Sequence, residues 1–140
     1  MARSDWSKIP DFGHPLIDAQ HRKIVASTKR ILNLLRQPAG RAELVPSLID
    51  YAALLAEHFS AEEALMEHIC SEKHAKHTET HKRTHFEITN MINNLILEVK
   101  DKGVDPYIKS AFNETFKLFL KNVTAHDAIL TAIIQLENML

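Results

Sequence analysis

Residues 51–66 read Tyr51-Ala-Ala-Leu-Leu-Ala-Glu-His-Phe-Ser-Ala-Glu-Glu-Ala-Leu-Met66. Tyr51, Leu55, Phe59, Leu65 and Met66 recur at helical spacing, and no strand-like alternation competes with that pattern. His58 and Glu62 stand at i and i+4, so their side chains share one helix face and converge. Outward from this stretch, Leu44 and Leu48 extend the helix to about 41–69, with Pro46 in its first two turns, where a missing N–H costs little. Ile24, Ile31, Leu32, Leu34 and Leu35 predict a preceding helix over about 18–37, with Asp18 as its N-cap. Phe86, Ile88, Met91, Ile92, Leu95, Ile96 and Val99 predict a third over about 72–102, closed by Gly103 at C′. Asp105 and Pro106 form an N-cap and N1 pair for a fourth over about 105–139, carrying Ile108, Phe112, Phe116, Phe119, Leu120, Val123, Ile129, Ile133 and Leu136. Four long helices with short breaks at Gln37–Gly40, Cys70-Ser71 and Gly103–Pro106 imply an all-α, up-down-up-down antiparallel four-helix bundle. An N-terminal arm of about residues 1–17 precedes it, and the whole of 1–140 reads as one domain without repeat or linker.

Composition narrows the function. A chain of 140 residues that is 45% hydrophobic and 25% charged is neither disordered nor of low complexity. Seventeen Lys and Arg against eighteen Asp and Glu leave a net charge of −1, which provides no field for nucleic acid or for an anionic membrane surface. No stretch is apolar enough to span a bilayer or to act as a secretory leader. Cys70 is the single cysteine, so an intrachain disulfide or a thiolate metal cage is excluded and a cytoplasmic location is expected.

The unusual residue is histidine, with nine copies. In an antiparallel hairpin, residues equidistant from a turn lie at one height. With turns centred near residues 39, 70 and 103, His21 comes level with His58, the His58 and Glu62 pair with His81, and His81 with Asp127. All four helices thus deliver a histidine or an acid to one layer. Such a cluster is costly to bury without a cation, and neutral imidazole with carboxylate suits iron, zinc or manganese. None of the eleven Glu is followed by a His three residues on, which rules out the ferritin-like di-iron arrangement. His74, His77, His81 and His85 share one stripe of the third helix, and periodicity leaves open whether His77 and His81 or His81 and His85 face the layer. Glu57, Glu63 and Glu67 read as a solvated face, and Cys70 as a turn thiol without a role. Ile24, Phe59, Phe119 and Val123 lie within about a turn of the candidate ligands and form an apolar lining suited to a small diatomic.

These residues resemble the hemerythrin family, specifically its bacterial hemerythrin-like domains, over nearly the whole chain. Trp6, Gly13 and Ile17-Asp18-Ala19-Gln20-His21 are similar to the family's arm and first-helix signature. The run from His58 to Met66 fits its His-Phe-x-x-Glu-Glu-x-x-Met motif without a gap. The family's His-x-x-x-His pair, fifteen residues beyond its bridging Glu, selects His77 and His81 and leaves His85 outside. In the fourth helix Asp127 fits, but Asn122 stands where the family has a histidine. The resemblance implies two iron ions, one held by His21 and His58 and the other by His77 and His81. Glu62 and Asp127 bridge them, together with a solvent-derived oxo or hydroxo group. Asn122 is then a weak or water-mediated position, with His126 and His85 as the alternatives.

The implied function is a non-haem di-iron protein that binds dioxygen, as a carrier or as an oxygen or redox sensing domain, and not primarily an enzyme. The rival readings are a di-iron oxidase, peroxidase or nitric-oxide-handling enzyme, and a helical metal-binding or interaction module without oxygen chemistry. Small anions are further expected ligands. The helical pattern runs to Leu140, so an output domain in a longer signalling protein is also an expectation.

Overall fold

The computed structural model describes residues 11–37, 41–68, 71–103 and 106–138. Trp6, Cys70 and the cap expected at Asp105 lie outside these. The described residues form helices and connecting turns, with no strand among them.

Helix α1 spans Pro15–Leu35. It starts earlier than the sequence pattern predicts, because Pro15 supplies a preset first residue and His14 the cap. His14 Nδ1 accepts the Ile17 N–H at 3.3 Å. Asp18, the expected cap, is instead buried in the first turn. Its carboxylate accepts from the backbone N–H of Phe12 at 2.8 Å and of Gly13 at 3.2 Å, which ties the arm to the helix. Helix α2 spans Arg41–Met66, accommodating Pro46, and ends three residues before the expected boundary. There His68 N–H turns back to Leu65 O at 3.1 Å. Helix α3 spans Ser71–Lys102. Gly103 closes it at φ +76°, its N–H donating to Val99 O at 2.9 Å, the left-handed cap that glycine adopts without a Cβ penalty.

The fourth rod is the place where the helical template is too simple. It consists of α4, Pro106–Asn122, a π-helical turn, Val123–Asp127, and α5, Ala128–Asn138. The Ala128 N–H donates to Val123 O, a bond from i+5 to i. In an α-helix, five residues turn through about 500°, leaving the side chains of Asn122 and Asp127 roughly 140° out of line. The wider turn brings both inward, and both are buried.

Successive helices pack side by side and α4 closes the ring against α1. The main core is built from Ile24 and Ile31 of α1, Leu44, Leu48, Tyr51, Leu55 and Phe59 of α2, Ile88 to Val99 of α3, and Ile108 to Val123 of the fourth rod. A smaller cluster of Met66, Leu130 and Ile133 forms at the other end. Between the two clusters lies a layer of histidine and carboxylate. Three residues of the apolar pattern face outward instead: Phe86 is 65% exposed, Ile129 46% and Leu136 63%. For Phe86 the reason is the helix wheel, since the buried stripe of α3 follows His81, His85, Ile88 and Ile92.

Candidate metal centre

Four helices supply the layer: His21 from α1, His58 and Glu62 from α2, His81 and His85 from α3, and Asp127 from the π turn. All six are almost fully buried. Asp127 is the hub. Its Oδ2 lies 2.8 Å from His21 Nε2 and 3.1 Å from His58 Nε2. Its Oδ1 lies 2.8 Å from His81 Nε2 and accepts the Asn122 side-chain N–H at 3.1 Å. Each carboxylate oxygen thus serves a different histidine set. Glu62 Oε1 is 3.2 Å from His58 Nε2, 3.5 Å from His81 Nε2 and 3.1 Å from His85 Nε2.

Two donor sets follow, His21, His58, Glu62 and Asp127, and Glu62, His81, His85 and Asp127, each with its ligand atoms within 4.8 Å of one another. Donors on one cation at about 2.1 Å stand up to about 4.2 Å apart, so a small inward shift of side chains closes each set on one ion. The two carboxylates are common to both sets.

The tautomers suit a cation. His58 Nδ1 is 2.8 Å from Gln20 Oε1, an acceptor, so Nδ1 carries the proton. Its Nε2 lone pair then points at the oxygens of Glu62 and Asp127, an arrangement that only a proton or a metal ion makes attractive. His85 repeats the device: Nδ1 donates to Glu63 Oε2 at 3.0 Å and Nε2 faces Glu62. Partners of this kind fix ring orientation and strengthen an imidazole as a ligand. The sequence reading places Glu63 on a solvated face. In the structure it is half-buried and bound to His85, because a helix residue next to Glu62 still reaches α3 across the α2/α3 seam. Gln20 was visible only as part of a motif.

The electrostatics agree. Burial and the neighbouring Asp127 raise Glu62 well above the usual carboxylate range. Burial also opposes charge on Asp127, but the close imidazoles of His21, His58 and His81 outweigh it and hold that carboxyl well below its ordinary value. Burial lowers His58, and lowers His85 to about 3, with the neighbouring His81 contributing. Burial thus favours the neutral form of His58 and His85 and the protonated form of Glu62, an arrangement ready to exchange protons for a cation. Seven buried side-chain atoms have no hydrogen-bond partner among the described residues, and all belong to this layer or its edge: His21 Nδ1, Glu62 Oε2, His77 Nδ1 and Nε2, His81 Nδ1, Asn122 Oδ1 and His126 Nδ1. Buried orphans on this scale mark a site built for something other than protein.

Of the sequence candidates, His21, His58, Glu62, His81 and Asp127 are brought together. His77 stands beside them, its ring centroid 5.5 Å from that of His81 and 5.6 Å from that of His126, but in neither donor set. His126 stacks on His81 at 5.3 Å. Asn122 turns its N–H, not its oxygen, toward Asp127. Ile24, Phe59, Phe119 and Val123 are all buried in the core adjoining the layer. The Phe119 ring lies 6.2 Å from His21 and 6.1 Å from His58, and Phe59 stacks on His85 at 4.1 Å.

Among the described residues, no helix is long and apolar enough to cross a membrane. Comparison with curated proteins and with solved structures found no match. A family model described as Hemerythrin HHE cation binding domain matches residues 13–129, which takes in every residue of the layer. With the bundle, the shared carboxylates and the histidine sets in place, the chain belongs to the hemerythrin HHE cation-binding family.

Proposed function

We propose that this chain is a single-domain non-haem di-iron protein that binds dioxygen, acting in the cytoplasm as a carrier or as an oxygen or redox sensor. The observation that carries the proposal is the division of Asp127, one oxygen toward His21 and His58 and the other toward His81. A carboxylate divided in this way is placed to bridge two ions. His21 and His58 would hold one iron, and His81, with His77 by family pattern, the other. Glu62 and Asp127 would be shared. Bound iron would supply the redox chemistry that dioxygen binding requires.

The chain's own groups do the rest. Gln20 holds His58 with Nε2 inward. Asp127 keeps its negative charge through its imidazole partners. Ile24, Phe59, Phe119 and Val123 exclude water from the interior side of the layer while leaving it apolar enough for a diatomic guest. The protein loaded anaerobically with ferrous iron should hold two ions per chain. On exposure to air it should develop an absorption spectrum that reverses when oxygen is removed. Irreversible oxidation without a reversible phase would refute oxygen carriage, and sustained peroxide or nitric oxide turnover would favour the enzyme.

A further inference from the structure

The family pattern asks for a histidine at position 122, and this chain has Asn122. In the structure Asn122 donates to Asp127 Oδ1 at 3.1 Å, so its amide acts as a clamp on that carboxylate. One turn beyond His81 on α3, where the pattern requires nothing, His85 lies 2% exposed with Nε2 aimed into the layer. We propose that His85 is a metal ligand of this protein, filling on the second cation the place left by Asn122, and that Glu63 is its positioning residue. This rests on the di-metal reading above and adds to it a donor that the family pattern leaves out.

Four observations converge on His85. Its Nε2 belongs to one donor set with Glu62, His81 and Asp127. Its Nδ1 donates to Glu63 Oε2 at 3.0 Å, which leaves Nε2 with a free lone pair and gives the ring the carboxylate partner typical of metal-bound histidine. Its plane is fixed by Phe59, stacked at 4.1 Å with 12° between the rings. The competing donor His126 is only half-buried and lies in neither set. A groove of about 630 Å³ between α2 and α3, lined by Phe59, Glu63, Lys82 and Phe86 among others, has His85 in its wall. The second cation would therefore exchange with solvent through the His85 side of the layer.

The test is Fe²⁺ stoichiometry and affinity under anaerobic conditions, by metal analysis after desalting and by competition with a chromophoric chelator. Wild type should bind two ions. His85→Ala should keep one and hold the second at least about tenfold more weakly, the range seen when ligand support is removed. Asn122→His in the His85→Ala background should restore the second ion. Glu63→Gln, which keeps an acceptor for Nδ1–H, should bind like wild type, whereas Glu63→Ala should move toward His85→Ala. Circular dichroism of each metal-free variant checks folding, and His85→Leu, which fills the space, gives the same comparison if His85→Ala does not fold. Two ions held with unchanged affinity by folded His85→Ala or His85→Leu overturn the proposal and leave the di-metal reading standing. Loss of the second ion in His126→Ala with full retention in His85→Ala overturns it in favour of His126. Wild type that binds no metal refutes the di-metal reading itself.

Discussion

Two buried polar sites in this bundle were built to opposite rules. Around Tyr51, Thr28 Oγ1 donates to Ile24 O at 2.8 Å and lies 3.1 Å from the Tyr51 hydroxyl, which donates back to it, while the Tyr51 ring packs on Phe112 at 5.3 Å. Every polar atom there has its partner inside the protein. Around Asp127, imidazole lone pairs face carboxylate oxygens and seven buried atoms have no partner among the described residues. Folding completes the first site unaided, and the second is complete only with a bound ion.

The largest effect should come from removing that ion. A ligand at a thousandfold its Kd stabilises by about 4 kcal/mol per site. Two sites then correspond to a fall in Tm on the order of 20 °C or more for the metal-free protein. Calorimetry with and without chelator measures it. Amide exchange should show the loss concentrated near His58–Met66 and the π turn, with protection near Tyr51 kept. Coincident melting curves would erase the contrast between the two sites.

Next in size is Phe112→Ala. Phe112 is fully buried beside Tyr51, so its truncation should cost about 3–5 kcal/mol. That cost should be the same with and without metal, and the metal content should not change. Asp127→Ala should do the reverse, releasing both ions because it removes the shared hub. If Phe112→Ala releases metal as readily as Asp127→Ala, the two sites are not independent.

How much of this was legible in the sequence follows the same division. The apolar half repeats at helical spacing, and spacing alone gives four helices and their order. His21, His58, Glu62, His81 and Asp127 could be matched in height because helices are regular rods with short turns. The remainder depends on departures from regularity or on contacts across a seam. The π turn breaks the periodicity that would have to reveal it, and π turns of this kind recur at functional sites. The inward orientation of His85 is fixed by Glu63 on the neighbouring helix and by Phe59, neither of which a helical wheel of α3 contains. His14 replaced Asp18 as the cap because Pro15 moved the helix start, a shift of a few residues that patterns do not resolve.

A third prediction concerns acid. Burial lowers His58, His77, His85 and His126 in the metal-free fold, His85 from 6.5 to about 3. Below pH 6.5 the unfolded chain therefore binds protons that the folded chain refuses, and stability falls as pH falls. Glu62 acts in the opposite sense. Raised in the fold, it favours folding at low pH and loses that contribution as pH rises through its folded value. Four imidazoles against one carboxyl leave the first effect dominant, at roughly 1 kcal/mol per pH unit for buried His58 and His85 and less for His77 and His126, which solvent reaches. Asp127, depressed in the fold, adds a further loss once pH falls below the ordinary value of 3.8. Chemical denaturation of the metal-free protein between pH 7 and 4.5 measures the slope. A flat profile would mean that the imidazoles are solvated, and with them the layer. Acid should also strip the metal, since protons compete for the same lone pairs.

The smallest effects separate the two ends of the bundle by their glycines. Gly103, at the end away from the metal layer, has φ +76° and open space where a Cβ would stand. Gly103→Ala should therefore cost about 1 kcal/mol for the left-handed backbone and nothing else. Gly13, at the metal end, has φ +83°, and a Cβ there would lie 2.9 Å from Gln135 Nε2. That nitrogen donates to Phe12 O at 2.9 Å, latching the arm to α5. Since Gln135 is exposed and can swing aside, Gly13→Ala should cost only slightly more in Tm than Gly103→Ala. The difference should show in metal release. Phe12 packs edge-on against the His21 ring at 5.9 Å, and the N–H groups of Phe12 and Gly13 are held by buried Asp18 three residues from that histidine. An arm freed from Gln135 loosens the wall behind His21, so chelator should strip Gly13→Ala several times faster than wild type, while Gly103→Ala should match wild type. Equal rates in the two variants would show that the arm is a tether to the bundle with no part in holding the site.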